Sequence, residues 1–310
     1  MSLKDSLRNR PVIYEIVPPR MDASRFQTEL RGVEEVLDDS RIAAINVPEL
    51  MNRREVKGGV HYSPATIPPE EYALMIKERK NAIVNIVAPR LSREEFRMRA
   101  RRVLHDYGLS NLVVVGKERH EDVLPGPGVV EALRLLRGEN GDHVALGGVC
   151  IFGRKTRPTV EYGGVELGEP RRVLLKAEAG CDFVTSQITF DPKAAVGFLS
   201  SYQELCERSG RSPLAVFVSL ATVPTRGILS LLGTLDVSIP PRVRRRLLAS
   251  ADMGAESVKV AAEVFSEIVE QAEQEEVDIP LGLQIEQVGV HSDSLSLGLM
   301  DRTYAVLKSA

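Results

Sequence analysis

The sequence predicts a (β/α)8 barrel, and three observations carry that expectation. Eight short apolar runs rich in β-branched residues recur along the 310 residues. Amphipathic helical stretches separate them, which is the alternation of a parallel sheet. No GxGxxG follows any of the runs, and a doubly wound open sheet, the competing architecture, usually carries a Gly-rich first turn. Barrels of this kind typically need about 250 residues as one unit, so residues 1–310 read as one barrel domain.

The strand candidates, in order, are VIYEIVP (12–18), IAAINVP (42–48), AIVNIVA (82–88), LVVVG (112–116), VALGGVC (144–150), FVTSQITF (183–190), LAVFVSLA (214–221) and IPLGLQIEQV (279–288). Between them FQTELRGVEEVLDD, REEFRMRARRVLHDYG and KAAVGFLSSYQELCERSG repeat apolar residues at helical spacing. GPG at 126–128 sits in a loop opening the fourth helix, ordinary helix-start chemistry. The stretch from Arg242 to Glu276 reads as two helices, or as one broken at Gly254. A last helix, about Leu295 to Leu307, closes the chain.

Composition excludes several classes of function. Forty basic against 43 acidic side chains leave a net charge of −3, and aromatic residues make up only 5% with no Trp. A nucleic-acid surface needs clustered positive charge, so no nucleic-acid partner is expected. No apolar run approaches the roughly 20 residues needed to span a bilayer, and the first twenty residues carry charges throughout instead of a signal peptide's apolar core. Cys150, Cys181 and Cys206 are widely spaced and form no CxxC pair, so reduced thiols and a cytoplasmic location are expected. His61, His105, His143 and His291 make no HxH or HExxH set, and no metal is expected.

Barrel chemistry sits at the C-terminal ends of the strands, so polar residues that interrupt apolar runs there are the candidates. They are Glu15, Asn46 with Glu49, Asn85, Lys117 with Glu118, Gln187 with Asp191, Ser219 with Thr222, and Glu286 with Gln287. Glu15 is the sharpest: alternation puts it on one face with Ile13 and Val17. A carboxyl inside an apolar strand loses hydration and its pKa rises, the condition of a general acid at neutral pH; the alternative is an ion pair with an inward Lys or Arg. Gln187 reads as mid-strand, either a substrate contact or a hydrogen-bond bridge of the core. Asp191 before Pro192 reads as a helix cap. RKTRP (154–158) is either an anion site or a solubilising run, and RVRRR (242–246) a solvated helix face. Lys117 is the only strand-end lysine that could serve a Schiff-base lyase, a third and unrelated reading.

Three segments together resemble the methylenetetrahydrofolate reductase family. EIVPPR (15–20) is similar to that family's first-strand Glu followed by a Pro-Pro-basic turn, and LLKAEAGCDFVTSQITFD (174–191) to its sixth-strand signature. VVVGKERHEDVLPGPG (113–128) falls where the family has a strand ending in Arg-Gly-Asp and a Pro/Gly loop. The resemblance runs from about residue 10 to 305 and implies a (β/α)8 barrel. It also implies hydride transfer from NADH or NADPH, usually through FAD, to 5,10-methylenetetrahydrofolate. By the resemblance Glu15 is the general acid and Glu118 stands near flavin and pterin. Gln187, with Asn85 and Glu286, is expected to bind substrate, and Asn46, Lys176 and Lys117 the cofactor. The departures bear on FAD: the family's Arg-Gly-Asp is Gly116-Lys117-Glu118 here, its fifth-strand Tyr-Pro-Glu-x-His is VCIFG (149–153), and its last-strand block is QIEQVGV (284–290). The resemblance therefore admits two forms, an FAD enzyme or a flavin-independent branch with direct hydride transfer. The competing reading is a catalytically divergent barrel that binds a pterin or flavin and serves a methyl-transfer or partner protein. A homo-oligomer or a partner subunit is compatible with either.

Overall fold

The computed structural model describes residues 2–19, 33–56, 59–64, 66–117, 122–154, 166–288 and 293–309. Eight parallel strands close into a barrel, as the sequence predicts. In chain order they are β1 (Val12–Glu15), β2 (Ile42–Val47), β5 (Asn81–Val87), β6 (Asn111–Val115), β7 (Ala145–Cys150), β8 (Phe183–Ser186), β9 (Ala215–Ala221) and β10 (Leu281–Glu286). Two further strands, β3 (Met51–Val56) and β4 (Gly59–Pro64), form an antiparallel hairpin after β2 that the sequence reading did not anticipate. The ring closes where β1 pairs with both β2 and β10.

Helices cover the outside: α1 (Leu3–Ser6), α2 described over 33–38, α3 (Pro69–Ile76), α4 (Arg93–Arg101), α5 (Val129–Asn140), α6 (Glu169–Glu178), α7 (Pro192–Arg208), α8 (Arg226–Thr234), α9 (Pro241–Ala249), α10 (Met253–Gln274) and α11 (Asp293–Ser309). Their starts follow local chemistry. Ser92 and Glu95 form a capping box on α4, and Asp191 caps α7 by accepting from the Ala194 amide at 3.2 Å. The stretch read as one or two helices is two. The break falls at Ser250–Asp252, where Asp252 caps α10, instead of at Gly254. Gly254 lies buried inside α10, where a Cβ would stand 2.9 Å from Leu295 Cδ1, so its role is close helix packing. The arginines of 242–246 lie on the exposed face of α9, with Val243 buried beneath. No described helix is long and apolar enough to cross a membrane.

The lower part of the lumen is apolar. Ile13, Ala44, Ile83, Val113, Ala145, Phe183, Ala215 and Phe217 meet at the centre, and Leu3 and Leu7 close the lower end. Phe183 and Phe217 pack edge to face, centroids 5.5 Å apart. Their rings fit because the strands beside them carry glycine: a Cβ on Gly147 would lie 2.5 Å from Phe183 Cζ, and one on Gly282 2.5 Å from Phe217 Cδ1. This layer fixes which side chains face inward two residues further along each strand.

Candidate active site

Moving two residues up from Ile13 and Ala44 places Glu15 and Asn46 in the lumen, at the C-terminal mouth. They are register partners on β1 and β2, and the Asn46 amide Nδ2 donates to Glu15 Oε2 at 2.8 Å. On the other side, Ile13 pairs with Gln284 of β10, so Glu15 comes level with Glu286 on the neighbouring strand. Gln284 Nε2 donates to Glu286 Oε1 at 3.1 Å, and Gln284 is the register partner of Ser219 on β9. Asn85, two residues above Ile83 on β5, is buried on the same wall. The cluster therefore draws on five strands.

Electrostatics follows from this geometry. Burial drives the Glu15 carboxyl well above the ordinary carboxylate range, the charge on Glu286 adds to the rise, and the Asn46 hydrogen bond opposes it. Burial also pushes Glu286 up, to about 7, against the Ser219 hydroxyl and the Gln284 amide. No Lys or Arg among the described residues pairs with either group, which removes the ion-pair alternative for Glu15 within them. The amide orientations have a further consequence. Because Asn46 and Gln284 spend their NH2 groups on the acids, Asn46 Oδ1 and Gln284 Oε1 are left buried without a hydrogen-bond partner, and so is Asn85 Oδ1. An unmet buried acceptor costs roughly 1–3 kcal/mol, so the site is built to receive donors.

The other expected residues lie elsewhere. Gln187 is not mid-strand: β8 ends at Ser186, whose hydroxyl donates to Gln187 O. Its side chain is half-buried and donates to Leu235 O, past α8, at 3.3 Å. Lys117 is exposed beyond β6, with its ammonium donating to Asp122 O at 3.1 Å. Glu118 lies outside the described residues, as do His291 and residues 155–158 of the RKTRP run. Arg154 is tied to Glu169 at 3.2 Å. Glu49 accepts from the Val87 amide and pairs with Arg99. Thr222 is buried at the end of β9.

Lys176 stands outside the barrel wall. Gly147 faces the lumen, so Gly148 faces out, and the Lys176 chain packs on it, 3.2 Å from where a Cβ would be. Its ammonium donates to Val149 O at 2.6 Å and lies 3.7 Å from Glu169. Of the residues matched to cofactor contacts, Asn46 is thus in the lumen and Lys176 behind the wall. The residue that sequence reasoning passed over is Gln284. Its signal was present, since it stands two places before Glu286 on one strand and alternation puts both on the same face. All three cysteines are buried and free, and no group of His, Cys, Asp and Glu among the described residues is arranged to hold a metal.

No protein-family model matches the chain, and no curated protein does. Among solved structures it is similar to an uncharacterised protein from Clostridium thermocellum that binds two copies of 5-methyl-5,6,7,8-tetrahydrofolic acid. The TM-score is 0.75 at 21% identity, covering 98% of this chain and 99% of that one. A GH18 chitinase from Pseudoalteromonas aurantia matches at a TM-score of 0.49 and 10% identity, over 93% of this chain and 99% of that one. At these identities the first likeness is one of fold, and the second adds nothing to it.

Proposed function

We propose that the barrel mouth binds a reduced folate and that the protein reduces 5,10-methylenetetrahydrofolate, or a related one-carbon pterin, to its 5-methyl form. The hydride comes directly from NADH or NADPH. One observation carries the reading: five inward groups that accept hydrogen bonds, three of them unpaired carbonyl oxygens, converge with no cation among them. A reduced pterin presents the complementary edge, with an exocyclic amino group and ring N–H donors, and its flat ring suits a lumen floored by Ile13, Phe183 and Phe217. The methylated folate bound by the Clostridium thermocellum barrel supports the same ligand class.

Glu15 has the acid's part. Its surroundings favour the protonated form, and it gives its proton to the nitrogen that leaves the one-carbon unit as that C–N bond breaks, while hydride adds to the carbon. Asn46 holds the carboxyl in place through Oε2 and leaves the other oxygen for the transfer. Direct transfer is supported by the separation of Asn46, in the lumen, from Lys176, behind the wall. The second reading, a barrel that carries a methylated folate for a partner or methyl transfer without redox chemistry, is favoured by one fact: the structural neighbour holds the methyl form.

Calorimetry with 5-methyltetrahydrofolate, the visible spectrum of the purified protein, and NADH oxidation with methylenetetrahydrofolate separate these outcomes. Binding, a colourless protein and NADH oxidation that needs the folate support the reductase. Binding with no oxidation by NADH or NADPH selects the carrier. A flavin spectrum bleached by NADH overturns direct transfer, and no folate binding overturns both readings.

A further inference from the structure

The upper lumen contains an arrangement that a lone general acid does not require. Glu15 and Glu286 face inward at the same level of adjacent strands, which run about 4.8 Å apart. Each is gripped at one oxygen by a neutral amide two strands' width apart from the other: Asn46 on Glu15 Oε2 and Gln284 on Glu286 Oε1. Asn46, Asn85, Val115, Val149, Thr185 and Ser219 face the pair from the other six strands, and none of them ionises. Lys117, past the end of β6, is exposed, and its ammonium donates to Asp122 O. Two like carboxylates with no compensating cation among the described residues cannot both ionise cheaply, so their protons are held in common.

Resting on the folate reading, we infer that Glu286 is the proton-sharing partner of Glu15 and a positioning residue for its acid role. In one turnover Glu15 releases a proton to the leaving nitrogen, the C–N bond breaks, and hydride from the reduced nicotinamide completes the methyl group. That leaves Glu15 ionised beside Glu286. The repulsion draws one proton from solvent into the pair, and Glu286, on the last strand, is the group through which Glu15 is reloaded. One proton and one hydride enter per methyl group formed, and oxidised nicotinamide leaves.

Isotope-edited infrared titration of the ligand-free full chain tests the pairing without reference to any activity. The expected result in the wild type is a protonated carboxyl band at pH 7 that disappears in two separated steps. In Glu286→Gln the remaining Glu15 band, and in Glu15→Gln the remaining Glu286 band, should be lost at least about one pH unit lower. Unchanged titration in both single variants overturns the inference. If the variants do not fold, the wild type alone decides, since one common step in the ordinary carboxylate range overturns it equally. With NADH and methylenetetrahydrofolate, Glu286→Gln should also move the alkaline limb of kcat/KM to lower pH, because Glu15 loses the neighbour that keeps it protonated. Absence of any turnover would sink the reductase reading and leave the titration result standing.

Discussion

The two halves of the barrel lumen are built by the same eight strands, two residues apart, and they obey opposite rules. In the lower half Phe183 and Phe217 meet edge to face over Ile13, Ala44 and Val113, and glycines at 147 and 282 are spaced to admit the rings. Every group there is satisfied by packing. In the upper half Asn46, Asn85 and Gln284 are buried with acceptors unmet, and the half-buried Glu15 and Glu286 stand side by side. The lower layer supplies stability that the upper layer spends on a poised site, the division expected of barrels that act at the C-terminal face.

The largest effect that tests this division is in the lower half. Phe183→Ala should cost about 3–5 kcal/mol in urea unfolding, because it empties a ring-sized space between walls that cannot collapse. Folate affinity of the folded fraction should stay near that of the wild type. A loss under about 1 kcal/mol would mean that the lower layer is not what holds the barrel. In the upper half the order reverses: Glu15→Gln should lower turnover by roughly 10²–10⁴, the share of a positioned general acid, while unfolding at pH 7 changes little. Gln keeps the shape of a carboxyl whose proton the surroundings already favour. Steady-state kinetics and urea titration on the same preparation give both numbers.

The sequence made the barrel legible and half of the site. β-branched runs and their alternation located all eight strands, and they put Glu15 on the inward face without knowledge of any neighbour. Asn46 and Asn85 were found in the same way, as polar breaks near strand ends. Three things were not legible, each for a physical reason. The β3–β4 hairpin is stabilised by pairing of two polar segments, NRRE and VHYS, that carry no apolar alternation. FVTSQITF reads as one run that includes Gln187, although β8 ends at Ser186, whose hydroxyl accepts the Ser219 amide of β9. The partnership of Glu15 with Glu286 joins residues 271 positions apart, and only barrel closure makes the first and last strands neighbours.

The pH dependence of stability should come next in size. Both acids bind their protons more tightly in the folded chain, so the stability they contribute is fully present below about 4.5. It is lost as pH rises, through about 7 for Glu286, and Glu15, raised well above its ordinary range, acts in the same sense. For Glu286 alone the span from 4.5 to about 7 corresponds to up to about 3 kcal/mol. Asp39, held low by Arg41, acts in the opposite sense and only below its ordinary range, so the two effects occupy separate pH windows. Urea midpoints between pH 5 and 8 should fall in the wild type and be flat in the double variant Glu15→Gln, Glu286→Gln. An equal slope in both would place the titrating groups elsewhere.

Asn85 gives the smallest effect and the sharpest contrast between the halves. Its Oδ1 is buried without a partner, and the residue sits two places above Ile83, at the boundary between the layers. Asn85→Leu keeps the volume and removes the unmet acceptor, so unfolding should become harder by about 1 kcal/mol. If that oxygen receives an N–H of the pterin, folate affinity should drop by about tenfold in the same variant, the worth of one hydrogen bond of about 1.4 kcal/mol. A side chain that only packs would move the two quantities together. Stability rising while affinity falls is the signature of a residue kept for its ligand, and a parallel change in calorimetry and urea titration would return Asn85 to the core.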